Sequence, residues 1–509
     1  MRNLIVCCDG TWNTPDQKKG GLPIPTNVVK LFNACVADDT QLKYYHPGVG
    51  TEGSAVKRMI GGGLGVGLDK NILSAYHWLC SHYQAGDNIF LFGFSRGAFT
   101  ARSLGGFILI AGMLDLNGLD SSTVWERIGS AYMDGYREKK SIADLHADWP
   151  TLVDENGQPP DIHCIGVWDT VGARGVPDDM VLLDQLFDDP RKYSFHNTDL
   201  SPRVRHAYHA VALDEVRASF APTLWTLAQP RPPENTFEQL WFPGNHGDVG
   251  GGHVECGLSD GALVWMCEKA EAQGLRLNTQ FMKQLRPDFQ AVLHDEIDGI
   301  WMLMRTLPRA VPRLCLENVG GHLHESAWQR YEDPPISQAP YRIHVAIDAG
   351  QSWQGSIYAR DYWNDTGLWL EAGVTYHFTS TGEWIDLFNR SGPEGMDDGK
   401  FQMGELMYKM GDLIALGEEA FKRLTGKQES DWWATRRYES ADWFALVGMI
   451  ANQPNADGGG TPISGEIFTI GAGVTYTPKD SGYLYCYAND AWRFYGNNRG
   501  SVMLTVERP

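Results

Sequence analysis

The 509-residue chain lacks any long hydrophobic run. Its longest apolar stretch beyond the N-terminus, residues 107–114, is interrupted by glycine and is far shorter than the ~20 residues that cross a bilayer. At the N-terminus, only the five apolar residues 4–8 precede an acid, which is too few for the core of a signal peptide. The sequence therefore predicts neither a transmembrane segment nor a signal peptide.

Basic residues and paired cysteines are also scarce. There are 43 Lys plus Arg against 63 Asp plus Glu, and the net charge of -20 repels phosphate backbones and anionic lipid surfaces. The 9 cysteines are scattered and include no Cys-x-x-Cys pair, which argues against a cysteine-based zinc site and favours buried thiols in a reducing cytoplasm. Because of this negative net charge, we expect no nucleic-acid partner.

Hydrophobic periodicity divides the chain into two parts. Residues 1–338 alternate short apolar runs with amphipathic helical stretches, which is typical of an α/β domain with a mostly parallel sheet. Residues 339–509 show short alternating strands and turns, which predict an all-β sandwich with a helical insertion near 401–445. The predicted strands are 4–8, 41–45, 88–94, 161–168 and 239–242, then 342–347, 375–380, 466–471, 483–487 and 501–506; the predicted helices are 68–84 and 258–273.

A Gly-x-Ser-x-Gly motif lies between a predicted strand and a helical stretch, as Gly93-Phe94-Ser95-Arg96-Gly97. Glycines on both sides allow the chain to fold sharply from strand into helix, so that the Ser95 hydroxyl is exposed at the apex. The Arg96 amide at the helix N-terminus is placed to stabilise an oxyanion. We predict Ser95 as a nucleophile; a tight structural turn is the alternative.

An acid and a base follow two later predicted strands. Asp169 and His246 come after Ser95 in the order found in α/β hydrolases, with spacings that allow a crossover helix between them. We predict His246 as the general base and Asp169 as the acid that orients it. Alternatives remain open: Asp248 as the orienting acid, Asp169 as the cap of a turn, and His246 as a structural loop histidine or as a metal ligand with Asp248 and His253.

The loop after the first predicted strand is a second source of oxyanion donors. We predict that the amide of Gly10 or Thr11 reaches the site from this loop. Asp-x-Asp-Gly-Thr phosphohydrolases use a similar loop, but Cys7 occupies the position of their nucleophilic aspartate, which argues against phosphoaspartate chemistry. An apolar acyl pocket is expected from residues 181–237 and 281–307.

At these motifs the sequence resembles the catalytic domain of type VI secretion lipase effectors of the first family, over about residues 1–335. The resemblance implies an α/β hydrolase fold, a triad of Ser95, Asp169 and His246, and a phospholipase that cleaves acyl esters without a cofactor. It also implies synthesis in the bacterial cytoplasm, export without a signal peptide, and a secretion-apparatus or immunity protein as partner. The motifs that carry the resemblance are Asp9-Gly10-Thr11-Trp12-Asn13, Gly93-Phe94-Ser95-Arg96-Gly97-Ala98-Phe99, Trp168-Asp169-Thr170-Val171-Gly172 and Trp241-Phe242-Pro243-Gly244-Asn245-His246-Gly247-Asp248-Val249-Gly250-Gly251-Gly252.

The C-terminal segment 487–501 resembles the terminal loop of the PA-I galactophilic lectin family, a small calcium-dependent β-sandwich. Oxygen ligands from a carboxylate, a backbone carbonyl and two amides suit Ca²⁺. The resemblance implies a carbohydrate ligand, although the sugar-contacting residues of the family have no clear match near 384–387; an ordinary turn is the alternative. The implied calcium ligands are Asp490, the Phe494 carbonyl, Asn497 and Asn498, with the Leu370 carbonyl as a further ligand.

Together these motifs predict a serine hydrolase that transfers acyl groups through an acyl-enzyme, most like a phospholipase. Two alternatives are an esterase or depolymerase that is not a toxin, and a glycan-binding protein with an inactive hydrolase domain. The intact order of Ser95, Asp169 and His246 argues against the second alternative. Fold alone does not separate the remaining two, because substrate choice depends on the pocket.

Overall fold

The structure of the chain is a computed structural model. It describes residues 1–10, 13–47, 68–172, 199–227, 232–295, 306–386, 389–396, 436–452, 465–492 and 494–509. Within these ranges no helix combines the length and the apolar character needed to cross a membrane. Thr11, residues 181–198, 228–231 and 296–305 of the expected acyl pocket, and residues 401–435 of the predicted insertion lie outside the described residues.

Six parallel strands form the sheet of the N-terminal part, in the order β6–β5–β4–β3–β1–β2. The strands are β1 (Asn3–Cys8), β2 (Gln41–His46), β3 (Asn88–Phe94), β4 (Ile162–Trp168), β5 (Val204–Ala212) and β6 (Thr236–Phe242). Because β2 and β3 lie on opposite sides of β1, the strand order reverses between the loops that follow β1 and β3. Open α/β sheets bind their ligands at such a switch point.

Helices cover both faces of this sheet, as a parallel sheet requires. Alternate β1 residues face opposite cores: Leu4 and Val6 pack with α2 and α3, whereas Ile5 and Cys7 pack with α1 and α6. The helices are α1 (Asn27–Ala34), α2 (Leu68–His82), α3 (Arg96–Ala111), α4 (Ser121–Ser130), α5 (His246–Gly250), α6 (Gly257–Ala272) and α7 (Glu325–Glu332).

Shorter elements complete the described chain. They are the π-helix Ala131–Tyr136, the helical turns Ile142–Leu145, Ala218–Phe220, Thr279–Met282, Leu316–Asn318, Ile336–Gln338 and Tyr495–Asn497, and the two-residue strands Lys18–Lys19, Leu22–Pro23, Met113–Leu114, Thr151–Leu152, Asp199–Leu200 and Thr226–Leu227.

Two antiparallel sheets form the C-terminal part and share one hydrophobic core. One sheet has the order β7–β15–β9–β10, with β13 also paired to β9, and the other has the order β8–β14–β11–β12. Phe378 and Leu504 of the first sheet lie in the same core as Leu446 and Leu484 of the second. The strands are β7 (Gln351–Tyr358), β8 (Asn364–Leu370), β9 (Tyr376–Asp386), β10 (Asn389–Ser391), β11 (Leu446–Ala451), β12 (Glu466–Thr469), β13 (Gly473–Tyr476), β14 (Gly482–Ala488) and β15 (Asn498–Arg508).

A further hydrophobic core joins the two parts. Val211 and Trp241 of the parallel sheet share it with Met449 and Tyr483 of the antiparallel sheets. Polar contacts reinforce the junction, because Asp214 accepts hydrogen bonds from the Tyr341 hydroxyl and from Arg342 Nε, both at 2.7 Å. The C-terminal part is therefore packed directly against the loops at the ends of β5 and β6.

The structure confirms the five strands predicted in the N-terminal part but corrects other expectations. The sequence patterns did not predict β5, β7, β8, β10, β11 or β13. The predicted strand 342–347 is wrong: only an isolated bridge forms there, and its polar side chains Arg342 and His344 bond Asp214 and Arg313 across the junction between the two parts. Residues 436–445 form turns rather than the predicted helix, because the Asn489 side chain bonds the backbone of Tyr438, Ala441 and Asp442.

Glycine is required where α3 meets the end of β1. A Cβ atom on Gly97 would lie 2.2 Å from the Cys8 carbonyl oxygen and 2.5 Å from that of Asp9. We expect Gly97→Ala to lower the free energy of unfolding by about 1–3 kcal/mol, because the backbone must move apart. Urea denaturation measures this change.

Gly105→Ala in the same helix is the matched control. Its Cβ would approach a movable side-chain atom, Ile165 Cδ1, at 3.1 Å, and alanine favours helix over glycine by ~1 kcal/mol. We expect the control to change stability by less than ~1 kcal/mol. Equal losses in the two variants would contradict a specific close approach at Gly97.

Candidate active site and candidate metal centre

Ser95 lies in a sharp turn between β3 and α3. Its backbone angles, φ 58° and ψ -126°, are unusual for a residue with a side chain, and Ser95 is the N-cap of α3. The carbonyl of Ser95 accepts a hydrogen bond from the Ala98 amide at 3.1 Å, which starts the helix. The local geometry is that of the predicted strand–serine–helix elbow.

Asp169 emerges beside Ser95 because their strands are neighbours. Phe94 and Trp168 are paired in the β3–β4 register, and the Ser95 amide donates to the Trp168 carbonyl at 3.1 Å. Asp169 is completely buried, and its φ of 33° turns the chain away from the strand. The predicted nucleophile and the predicted acid therefore lie at adjacent strand ends.

His246 is the first residue of α5, which follows β6 and is capped by the Asn245 side chain. The Nδ1 atom of His246 lies 2.7 Å from Asp169 Oδ2. The imidazole packs between two rings, with centroid distances of 4.5 Å to Phe94 and 4.9 Å to Phe220. Within the described residues Ser95 Oγ makes no hydrogen bond to His246; such bonds often tighten only when substrate is bound.

Arg309 is a member of this site that sequence analysis missed. Its guanidinium donates to Asp169 Oδ1 at 2.8 Å and to Asp169 Oδ2 at 3.0 Å, and it also bonds the carbonyls of Ala212 and Phe220. Burial alone would raise the pKa of the Asp169 carboxyl, but Arg309 and His246 outweigh it and lower that pKa. Asp169 is therefore a carboxylate held by a buried cation. A lone arginine in a segment without a motif gives no signal in the sequence.

A second buried ion pair flanks His246. Glu215 Oε2 accepts from Arg217 Nη2 at 2.6 Å and from the His246 amide at 3.3 Å. The Arg217 guanidinium stacks on the Phe220 ring at 3.7 Å, and that ring contacts His246. The backbone and the ring of His246 are thus both fixed by this pair.

The structure places Asp248 away from the His246 ring. Asp248 Oδ2 accepts from the Asn245 and His294 amides, while Asp248 Oδ1 bonds His294 Nδ1 at 2.6 Å. This bond raises the pKa of His294, and the pair fixes the turn that carries His246.

The possible metal ligands that the structure brings together in this loop differ from the predicted set of His246, Asp248 and His253. The donor atoms of Asp248, His253 and His294 lie within 4.8 Å of one another, and His246 is not among them. However, the His253 and His294 rings stack nearly parallel, at 11° and 3.8 Å. Stacked rings do not point their in-plane nitrogens at one ion, so we interpret the group as a hydrogen-bonded support for α5.

The predicted oxyanion donors have different surroundings. A Cβ on Gly10 would lie 3.2 Å from Ser95 Cβ, so this loop does adjoin the serine. The Gly10 amide, however, donates to Asp9 Oδ1 at 2.7 Å and is already engaged. The Arg96 amide lies in the first turn of α3, directly after Ser95, and Thr11 is outside the described residues.

The predicted calcium ligands come together in the loop between β14 and β15. Asn498 Nδ2 donates to Asp490 Oδ2 at 2.9 Å, and Asn497 Nδ2 donates to Asp386 Oδ1 at 2.6 Å. Asp386, which sequence analysis missed, pairs with Asn498 in the β9–β15 register. Burial raises the pKa of Asp490 to about 7, and nearby Asp386 adds to the effect.

Two atoms of this cluster fit a bound cation. The Oδ1 atoms of Asn497 and Asn498 are buried and accept no hydrogen bond within the described chain. Buried oxygens without partners are costly, and two carboxylates beside them make an oxygen-rich set of the kind that Ca²⁺ prefers. The Phe494 carbonyl, at the same loop, accepts the Asn497 amide at 3.3 Å and keeps a second lone pair.

Leu370 does not belong to this cluster. It pairs with Gly482 at the start of β14, whereas Asp490 follows the end of that strand. A seven-residue strand separates its ends by ~20 Å, so the expectation of a Leu370 ligand is wrong.

Comparisons with known proteins agree with the motifs. The model of the family "T6SS, Phospholipase effector Tle1-like, catalytic domain" matches residues 2–269, more than half of the chain. The uncharacterized protein YEL023C of Saccharomyces cerevisiae is 31% identical over 242 residues, which are 44% of this chain and 33% of the yeast protein. The chain thus spans about a third of that relative.

Two solved structures are distantly similar to the chain. The Tle1 effector bound to the VgrG spike of the type VI secretion system is 17% identical, with a TM-score of 0.30, over 50% of this chain and 51% of that one. The EclA N-terminal domain, a PllA-like lectin, is 16% identical, with a TM-score of 0.18, over 31% of this chain and 96% of that one.

The family match covers the elbow, the Asp169 strand end and the His246 loop, and it confirms the family resemblance expected from the four motifs. The chain therefore belongs to the family of Tle1-like phospholipase effectors of the type VI secretion system, through its catalytic domain.

Proposed function

We propose that the chain is a serine hydrolase that cleaves carboxylic esters through an acyl-enzyme. The observation that carries this proposal is the 2.7 Å contact between His246 Nδ1 and Asp169 Oδ2 beside the strained turn at Ser95. The three side chains emerge from the ends of strands in one parallel sheet, near its switch point. An orienting acid, a base and a nucleophile are the parts that acyl transfer needs.

In the proposed reaction, His246 Nε2 accepts the Ser95 proton as Oγ attacks the ester carbonyl carbon. The tetrahedral oxyanion collapses, His246 protonates the departing alcohol, and the acyl group stays on Ser95. His246 then activates water, which releases the carboxylic acid. Asp169 keeps the imidazole in the required orientation throughout, and the chemistry needs no cofactor.

We retain the Arg96 and Thr11 amides as the proposed oxyanion donors. Arg96 opens α3, where amides and the helix dipole favour negative charge. Gly10 is a weaker choice than the sequence indicates, because its amide must first leave the Asp9 carboxylate.

The proposed substrate is the acyl ester of a glycerophospholipid. Membership in a phospholipase effector family supports a lipid ester. An esterase or depolymerase for another ester is the alternative within the same chemistry. A glycan-binding protein with an inactive hydrolase domain is disfavoured, because Asp169 and His246 are assembled as a hydrogen-bonded pair.

Fatty acid release from mixed phospholipid vesicles tests the nucleophile. We expect wild type to release fatty acid and Ser95→Ala to lose at least ~1,000-fold in rate, because the acyl-enzyme cannot form. Ser81→Ala, at an exposed serine near the end of α2, is the matched control and should keep wild-type activity.

Two outcomes would contradict parts of this proposal. Equal release by wild type and Ser95→Ala would exclude Ser95 as the nucleophile. A wild type that is silent on vesicles but cleaves a soluble ester in a Ser95-dependent way would retain the chemistry and exclude the phospholipid.

We propose that the C-terminal part binds one Ca²⁺. The proposed ligands are Asp490, the Phe494 carbonyl, Asn497 and Asn498, and the buried carboxylate of Asp386 is a further one. The two unpartnered amide oxygens and the closely placed acids support this assignment. A carbohydrate bound through that ion is proposed only from the resemblance to the lectin family. The ion would be structural and would take no part in the acyl transfer.

Calcium titration and thermal melting test this site. We expect Ca²⁺ to bind with about one ion per chain and, at 100 times its dissociation constant, to stabilise the folded state by ~2.7 kcal/mol. Asp490→Asn should lose both effects, whereas Asp348→Asn, at an exposed aspartate of the same part, should keep them. Identical titrations of Asp490→Asn and wild type would exclude these ligands; galactose added to the loaded protein tests the sugar.

We further propose that the chain is made in a bacterial cytoplasm and exported by a type VI apparatus, with an immunity protein protecting the producer. Family membership supports this route. Detection of the chain outside cells that have an active apparatus, and its retention when the apparatus is inactivated, would support the proposal; equal export in both would contradict it.

A further inference from the structure

Arg309 is the only group in the described chain that holds both oxygens of Asp169 from one side chain. It is itself buried, and the same guanidinium bonds the carbonyls of Ala212 and Phe220. The Phe220 ring packs against the His246 imidazole. Arg309 therefore bonds both Asp169 and the backbone of a residue whose side chain contacts His246.

Pairing with Arg309 reduces the effective negative charge that the Asp169 carboxylate presents to His246. In a Ser-His-Asp triad the negative acid stabilises the imidazolium that forms when the base takes a proton. A guanidinium on the same carboxylate offsets that charge and makes the imidazolium less stable. A buried pair is weakly screened, so the effect persists in solution at ordinary salt.

The other charged groups around this pair are largely compensated. Glu215 is paired with Arg217 at the His246 amide, and Asp248, two residues further along α5, is paired with His294. Behind Asp169, His209 accepts the Thr170 amide, and burial, with Arg102 nearby, lowers its pKa to about 3, so it is neutral. Arg309 is thus the cation whose removal would most change the charge at Asp169.

We propose that Arg309 is a positioning residue of the proposed hydrolase: it orients Asp169, offsets its charge, and thereby sets how strongly His246 holds a proton. The inference rests on the proposed function. Arg309 acts through Asp169 and contacts neither the reacting serine nor the ester.

The C-terminal part helps to hold Arg309 in place. Trp363 Nε1, from the C-terminal part, donates to Thr306 Oγ1 at 3.1 Å and to the Thr306 carbonyl at 3.3 Å. On the other side, the Leu307 amide donates to the Val216 carbonyl at 2.6 Å. Thr306 and Arg309 also line a cavity of about 670 Å³ between the two parts, together with Trp363 and Arg342. The segment 306–309 is therefore clamped from both parts.

The test measures how fast a fluorophosphonate labels Ser95 as a function of pH, because this readout does not depend on the natural ester. The acidic limb of that profile reports deprotonation of the base. In Arg309→Gln the lost positive charge favours the imidazolium, so we expect the limb to move to higher pH by about one unit. Misorientation of Asp169 should also lower the maximal rate by up to ~100-fold.

Arg309→Lys keeps the charge and is the conservative variant. We expect its acidic limb to match wild type even if its maximal rate falls. Circular dichroism establishes that each variant is folded. A rate that falls by one factor at every pH in Arg309→Gln, with an unmoved limb, would reduce Arg309 to a structural role and overturn the inference.

Trp363→Phe tests whether the C-terminal part holds the segment 306–309 in place, because it removes the hydrogen bonds from Trp363 to Thr306. Trp369→Phe, within the adjoining strand β8, is the matched control, since Trp369 makes no hydrogen bond to the segment 306–309. We expect slower labelling in Trp363→Phe only; equal rates in the two variants would exclude the contribution of the C-terminal part. If folded wild type is not labelled at Ser95, the proposed function itself fails. If wild type is labelled but the acidic limb of the pH profile is unchanged in Arg309→Gln, only the inference about Arg309 fails.

Discussion

The buried carboxylate of Asp169 is the constraint around which the N-terminal part is organised. A charge without access to water is stable only when it is paired and hydrogen-bonded, and removing one partner of such a pair typically costs ~3–5 kcal/mol. Asp169 is bonded by the Ala212 amide at the end of β5, by His246 of α5 and by Arg309 of the segment 306–309. Three separate parts of the chain must therefore meet at one strand end, next to the strand end that leads into the elbow of Ser95.

The same constraint links the two parts of the molecule. Asp214 and Glu215, just beyond the end of β5, are held by Arg342 and Arg217, and Trp363 bonds Thr306 of the segment 306–309. The interface is built from packed apolar side chains as well as ion pairs. The family model matches only residues 2–269, yet Arg309 and Trp363 lie beyond that limit. The part of the chain outside the matched domain thus contributes directly to the candidate site.

Local patterns predicted the strands that end at the site, because a buried parallel strand is a short apolar run followed by polar turn residues. The elbow, Asp169 and His246 could be predicted for the same reason, and the structure brings the last two together. The sequence could not indicate Arg309, Asp386 or Glu215, since each reaches its partner only through tertiary folding. It also missed β5, whose residues Arg205, His206 and His209 interrupt the apolar run, and it mistook 342–347 for a strand because alternation there reflects side chains that bond across the junction.

The most direct test of the proposed acyl-enzyme chemistry is to identify the residue that becomes covalently modified. The folded chain is incubated with a fluorophosphonate, digested, and the adduct is located by peptide mass spectrometry. We predict a single adduct on Ser95 that disappears when Asp169 or His246 is replaced by a residue unable to share the proton. An adduct on another serine, or no adduct on a folded protein that still releases fatty acid, would contradict it.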